Sequence, residues 1–208
     1  MLGPPASGKG TQADMIKRQH RIPTASPGAM LREQKKAGTP LGIEADKMTS
    51  RGLLLPDDLI VGLVKSWLEE HDGAFTFDGF PRTIGQAVTL ETLLAERGTP
   101  LDIAFSLDVN FATSLNRISR RMVCDVCGAV ASVGLHITNA NSPCPDCGGK
   151  LHRRSDDNEE TLRQRMEEYR EKSEPLISHY AERGILEHVN ADRTPEEVFA
   201  GITAILEK

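Results

Sequence analysis

A chain of 208 residues is long enough to bury a sizeable core in one main domain that carries insertions. Charged residues make up 26% and the formal net charge is −5, an acidic balance that argues against a general nucleic-acid binder. No apolar run approaches the ~18 residues of a membrane span, and no basic-then-apolar signal opens the chain, so a cytoplasmic protein is expected.

The first element is the stretch Gly3-Pro4-Pro5-Ala6-Ser7-Gly8-Lys9-Gly10-Thr11, which fits the spacing G-x-x-x-x-G-K with a hydroxyl residue close behind. Glycines at both ends let the backbone curl so that several N–H groups point into one hollow, and a helix starting near Lys9 adds the positive end of its dipole. The expected product is a socket for a polyphosphate, in which Lys9 neutralises the outer phosphate oxygens and Thr11 offers its hydroxyl to a metal ion. Gly10 stands where the usual pattern has Ser or Thr. The plainer alternative is a Gly-rich turn ahead of an ordinary helix. A phosphate loop leaves a buried parallel strand of about 5–6 residues, yet only Met1 and Leu2 precede Gly3. Either the chain starts late or the sheet lacks most of one strand, and a longer chain with an apolar stretch ahead of Leu2 is expected to melt higher.

Residues 9–20 then read as a helix with Met15 and Ile16 on its buried side, and Arg21 to Ser26 as a short strand closed by Pro27-Gly28. Helices are predicted over 30–36 and 41–50, stopped by Gly38 and Gly52, and Asp57 or Asp58 is expected to cap a helix running to Glu70 with Leu59, Leu63 and Trp67 as its core stripe. Ala74 to Phe77 reads as a strand leading into the turn Asp78-Gly79-Phe80-Pro81-Arg82. A helix follows over 84–97, then a strand over 103–107 that ends at Asp108. This alternation predicts an α/β fold: a P-loop parallel sheet with helices on both faces and ligands at the carboxyl ends of the strands. Residues 122–152 interrupt it without helical period. A helix resumes at Asp157, where Asp157 and Glu160 resemble a capping box, with Leu162, Met166 and Tyr169 as its apolar stripe. A helix over 175–183, a strand over 185–189 and a helix over 195–206 close the chain.

Two constellations carry chemistry. Cys124-x-x-Cys127 and Cys144-x-x-Cys147, sixteen residues apart, form knuckles of matched spacing whose four thiolates would satisfy tetrahedral zinc with no position left for water. Free thiols or a redox pair are the alternatives, and iron would serve the same structural purpose. The segment has few apolar residues, so a bound metal would contribute much of its stability. The second constellation is Arg32, Arg82, Arg117, Arg121, Arg154 and Arg165, which lie beside predicted strand ends or flank the cysteines. Guanidinium forks suit phosphate oxygens, and two phosphorylated ligands would need such a number. Arg153, Arg163 and Arg170 read as solvated.

The loop, the segment Asp78-Gly79-Phe80-Pro81-Arg82 with Gln86 four positions on, the four cysteines and Arg154-Ser155-Asp156-Asp157 together resemble the adenylate kinase family of nucleoside monophosphate kinases, in its long form with a zinc-bearing lid. The resemblance covers nearly the whole chain and implies reversible phosphoryl transfer from Mg·ATP to AMP, giving two ADP, beneath a lid that excludes water. It divides the chain into a core of residues 1–121 and 158–208, a helical AMP-binding insertion at 27–56 and a zinc-ribbon-like lid at 122–157. It implies that Gly3, Gly8, Lys9, Gly10 and Thr11 hold the ATP phosphates, that Arg32 and Arg82 grip the AMP phosphate, and that Gln86 reads the AMP adenine edge. Arg117 would lie against the ATP base, Asp78 would hold magnesium through water, and Asp156 and Asp157 would latch the lid or orient its arginines. Lys9, Arg82, Arg121, Arg154 and Arg165 are the implied catalytic groups, the last three closing over the transferred phosphoryl. ATP, AMP and ADP are then the partners, with no nucleic acid and no membrane, and a monomer is expected. The chain departs from the family pattern at Ala6, where Gly is common and a negative φ is expected. It also departs at Pro27 for Thr, Ala29 for Asp and Leu53 for Lys, positions that bear on nucleotide selectivity and metal affinity. The competing readings are a sister kinase acting on UMP or CMP, a zinc-ribbon ATPase that binds nucleic acid, which the acidic balance disfavours, and an inactive structural protein.

Overall fold

The computed structural model describes residues 1–207. Its strands are β1 (Thr24–Ala25), β2 (Thr76–Phe77), β3 (Ala104–Asp108), β4 (Arg121–Cys124), β5 (Val130–Ser132), β6 (Leu151–His152) and β7 (Leu186–Asn190). β1 pairs with β2 and β3 with β7, both in parallel, Ala25 lying opposite Phe77 and Leu107 opposite Val189. Leu2 joins the two pairs. Its N–H donates to the Phe105 carbonyl at 2.7 Å and its own carbonyl accepts from Leu107 N–H at 3.0 Å, while the Met1 amino group donates to the Phe77 carbonyl at 2.8 Å. The parallel sheet therefore runs β1, β2, Met1–Leu2, β3, β7. The loop after Leu2 emerges between the ends of β2 and β3, where the direction of strand addition reverses and an open parallel sheet binds its ligands.

Helices cover both faces. α1 (Lys9–His20) and α9 (Pro195–Leu206) lie on one, where Ile16, Val198 and Ile202 pack against Phe105, Leu107 and Val189. Alternation along β3 turns Ala104 to the other face, against Leu2, Ala87 of α5 (Ile84–Glu96), and Leu176 and Tyr180 of α8 (Pro175–Glu182). α4 (Asp57–Glu69) extends that layer through Val64 and Leu68 onto Phe77, Phe80, Leu90 and Leu94. α2 (Pro27–Lys36) and α3 (Pro40–Thr49) form a helical hairpin that crosses closely at Gly42, where a Cβ would sit 2.1 Å from the Lys35 nitrogen. β5, β4 and β6 make a separate antiparallel sheet in that order. No helix among the described residues is long and apolar enough to cross a membrane.

Several boundaries differ from the expectations above, each for a local reason. β1 spans two residues and not 21–26, because Arg21 closes α1 in the left-handed region and Pro27 starts α2 at once, its fixed φ suiting the first helical position. Asp57 and Asp58 occupy the first turn of α4 and Pro56 its cap position. Leu59, Leu63 and Trp67 are half-buried and pack against the core, whereas Val64 and Leu68 are its buried positions on this helix. α7 (Glu159–Glu168) is capped by Asn158, whose side-chain oxygen accepts from Thr161 N–H at 2.8 Å; Asp157 is engaged elsewhere. A π-turn at Tyr169–Ser173 carries α7 into α8. α6 (Phe111–Arg120) was not predicted at all: its buried face is confined to Ser114 and Ile118, and the cap at Asn110 is its clearest marker.

Candidate functional site

The loop is built around two backbone necessities. At Gly3, with φ +134°, a Cβ would lie 2.6 Å from the Leu107 carbonyl oxygen, so the chain can pass β3 only without a side chain. Gly8, with φ +102°, opens α1 with no side-chain cap, which leaves the first N–H groups of the helix directed into the loop. Lys9 Nζ folds back into the same hollow and donates to the Gly3 and Pro4 carbonyls at 2.7 and 2.8 Å and to Ser7 Oγ at 3.2 Å. Burial pushes its ammonium down to about 8, only partly offset by the charge of Asp78. Arg117 braces the loop from outside, donating to the Ser7 carbonyl at 2.9 Å and the Ala191 carbonyl at 2.6 Å.

Ala6 adopts φ +60°, not the negative φ expected of it. The loop geometry imposes a left-handed residue there whether or not glycine supplies it, and an L-residue in that region costs roughly 1–2 kcal/mol. Part of that cost returns as lost unfolded-state freedom when glycine is the alternative. Ala6→Gly is expected to stabilise the protein by about 0.5–1 kcal/mol, read as a higher denaturation midpoint at unchanged slope.

Positive charge converges on the mouth of this loop. Asp78, at the end of β2, accepts from Ser26 Oγ at 3.2 Å and lies 3.3 Å from where a Cβ on Gly10 would be. Around it stand Lys9, Arg32, Arg82, Arg121, Arg154 and Arg165, close enough to influence one another's protonation. Crowding by the surrounding protein lowers Arg32 and Arg82, and Asp78 restores part of the loss, although both residues remain exposed to solvent. Arg154 is lowered to about 9 by burial and then by Arg32 and Arg121, and its Nε is buried with no hydrogen-bond partner. Two of the six are tied to carboxylates. Arg121 forms a forked pair with the fully buried side chain of Asp157, through Nε at 2.8 Å and through NH2, and Arg165 pairs with Asp156. Burial acts to raise Asp156, but Arg165 and then Arg154 hold it below the usual carboxylate range.

Gln86 borders this cluster and is held by both ends of its carboxamide. Its Nε2 donates to Asp57 Oδ1 at 2.7 Å, and its Oε1 accepts from Arg82 N–H at 2.7 Å. Asp57 Oδ2 in turn accepts from Thr83 Oγ1 at 2.6 Å. The sequence marked Asp57 only as a helix cap; nothing in the chain foretold that it meets Gln86 twenty-nine positions away. Thr11 is half-buried in the first turn of α1, and Asp108 faces His188 and Ser106 at the end of β3. Arg153, Arg163 and Arg170 are exposed, as expected, although Arg163 also lies 4.9 Å over the Phe111 ring.

The cysteines form their own centre. Sγ of Cys124 and Cys147 are 3.5 Å apart, Cys127 and Cys144 3.7 Å, and all four sulfurs lie within 4.8 Å of one another. A tetrahedral ion with ~2.3 Å bonds spaces its sulfurs by about 3.8 Å, so the donor set fits one. The two knuckles repeat the same bonds: Gly128 N–H to the Cys124 carbonyl and Gly148 N–H to the Cys144 carbonyl, at 3.1 and 2.8 Å. The N–H of Cys127, then that of Val126, holds the Cys124 thiol down at about 6. Each knuckle also touches another part of the molecule. Asp146 pairs with Arg18 of α1 at 2.5 Å, and the Asp125 carbonyl accepts from Lys36 Nζ of α2 at 2.6 Å.

A parallel sheet with a phosphate-type loop at its switch point and cations gathered at the loop mouth defines a P-loop protein of the α/β class. The family model for adenylate kinase matches residues 1–185. The chain is 44% identical over 209 residues to an adenylate kinase of Thermodesulfovibrio yellowstonii, a match covering 100% of this chain and 97% of the relative. It is 41% identical to one of Archaeoglobus fulgidus, covering 100% and 96%, and 37% identical to one of Bacillus subtilis, covering 99% and 96%. The chain belongs to the adenylate kinase family, a family of phosphotransferases.

Proposed function

We propose that this protein transfers a phosphoryl group reversibly from Mg·ATP to AMP, giving two ADP. The observation that carries the reading is the gathering of six cations around Asp78, four of which, Lys9, Arg32, Arg82 and Arg154, are lowered by the crowding around them, with a buried Arg154 Nε that has no partner. Such a cluster is costly alone and favourable around polyphosphate. The loop from Gly3 to Thr11, with Gly8, Gly10 and Lys9, would hold the ATP phosphates, and Arg117 would lie beside its base. Arg32 and Arg82 would hold the AMP phosphate, with Gln86 at its base. Asp78 and Thr11 are the oxygen donors that would meet magnesium, which when bound would offset charge on the phosphates.

The nucleophile needs no general base, because a monophosphate with a second pKa of about 6 is already largely dianionic at neutral pH. The chain's work is therefore alignment and charge stabilisation by Lys9, Arg82, Arg121, Arg154 and Arg165. Residues 27–56 would act as the AMP-binding insertion, and 122–157 as a zinc-stiffened lid on a core of 1–121 and 158–208. The lid's arginines would reach the phosphates when it closes, excluding water that would otherwise hydrolyse ATP. Asp156 and Asp157 orient Arg165 and Arg121 for that step, and the Arg18–Asp146 and Lys36–Asp125 contacts would hold the lid down.

The test is ADP formation from ATP with AMP, GMP, CMP or UMP as acceptor. AMP is expected to be the preferred acceptor; turnover with UMP or CMP instead would assign the chain to a sister reaction. Arg82→Ala is expected to lower kcat/KM for AMP by about 10²-fold while changing KM for ATP far less. Equal losses for both nucleotides would contradict the placement of Arg82 on the acceptor side.

A further inference from the structure

We propose that Asp57 is a positioning residue for base recognition: its carboxylate fixes which way round the Gln86 carboxamide sits, and so selects a 6-amino over a 6-oxo purine. The proposal rests on the reading above in which Gln86 meets the base of the acceptor. A carboxamide offers a C=O and an N–H side by side, and a half-turn about its last bond exchanges them. Adenine presents an N6 donor beside the N1 acceptor, whereas hypoxanthine and guanine present an O6 acceptor beside an N1–H donor. The same glutamine, flipped, therefore reads the opposite class of base.

Here the flip is decided twice by groups that have no choice of role. An ionised carboxylate can only accept, so the atom facing Asp57 Oδ1 at 2.7 Å must be Nε2. A backbone N–H can only donate, so the atom facing Arg82 N at 2.7 Å must be Oε1. Asp57 is itself anchored, since Oδ2 accepts from Thr83 Oγ1 at 2.6 Å, and that same hydroxyl accepts from the Gln86 backbone N–H at 3.1 Å. The network closes on itself across the starts of α4 and α5. Gln86 is 2% exposed, so solvent does not compete for the carboxamide. After these two bonds it retains one N–H and one lone pair, the donor and acceptor an adenine edge requires. Losing the Asp57 contact leaves Arg82 N–H as the only orienting group.

The experiment compares AMP and IMP as phosphoryl acceptors with the intact protein. The unaltered enzyme is expected to prefer AMP by about tenfold or more in kcat/KM, the scale of one bidentate base contact. Asp57→Ala should raise KM for AMP about tenfold with kcat changed less than about twofold, and should shrink the AMP-to-IMP ratio by about tenfold. Asp57→Asn, whose carbonyl can still accept from Nε2, should keep the ratio within about threefold. A ratio unchanged in the alanine variant, or lost equally in the asparagine variant, overturns the proposal while leaving AMP kinase activity intact. Failure of the unaltered protein to phosphorylate AMP overturns the functional reading first. A measurement on the unaltered protein is solvent exchange of the Gln86 carboxamide protons in nitrogen-labelled protein: one proton markedly more protected than the other, as the single bond to Asp57 requires, supports the proposal, and two protons exchanging equally fast overturns it.

Discussion

Lys9→Ala is expected to lower kcat by about 10²–10³-fold, equivalent to about 3–4 kcal/mol of transition-state stabilisation, with a smaller change in KM for ATP. The argument is geometric before it is electrostatic. Lys9 Nζ already lies inside the loop, held by two carbonyls and a hydroxyl, so charge arriving on a phosphate there meets an ammonium that need not be reorganised. Its lowered value of about 8 adds a second expectation. The ammonium is the active form, so kcat/KM, which reports the free enzyme, should fall as pH rises through about 8. A turnover number unaffected by the substitution, or a flat profile to pH 9, would contradict the role given to this lysine.

Removing a metal bound at the four cysteines, or one of these ligands as in Cys144→Ser, is expected to lower the melting temperature by about 6–12 °C, taking roughly 3 kcal/mol lost and about 2–4 °C per kcal/mol for a chain of this size. The apolar cluster around the cysteines is small: Met122, Ala131, Ile137 and Leu151, with two of the cysteines themselves. Without an ion, four thiols crowd within 4.8 Å, and the two knuckles are joined by little more than the pairing of β4 with β6 and the Asp125 N–H bond to the Lys150 carbonyl at 3.0 Å. Chemistry measured well below the transition should change less than stability, because the cations at the phosphate loop are anchored outside the cysteine centre. Hydrogen exchange over 124–147 distinguishes the outcomes: protection that survives chelation would mean that the ion is not what holds this segment together.

What could be read from the chain was what chemistry ties to short spacing. The loop, the cysteine knuckles and Asp78-Gly79-Phe80-Pro81-Arg82 are local patterns, and the structure puts the loop at the sheet's switch point and brings the four sulfurs together. The arginines could be named but not paired. Asp157 read as a helix cap because its distance to Glu160 is right, yet a buried guanidinium is a stronger claimant for a carboxylate than a helix end that Asn158 can serve. Ala6 was misjudged because residue preference was taken to set φ, when the loop's closure sets it. α6 escaped notice because so little of its surface is buried, and the Asp57–Gln86 contact because it joins two helices that no periodicity relates.

The backbone at Met1 and Leu2 is the seam between the two halves of the sheet: the Met1 nitrogen donates to the Phe77 carbonyl, and Leu2 exchanges bonds with Phe105 and Leu107. Asp78 follows β2 on one side of that seam and Gly3 leaves it directly, so anything that loosens these bonds would shift the carboxylate relative to Lys9 without altering either side chain.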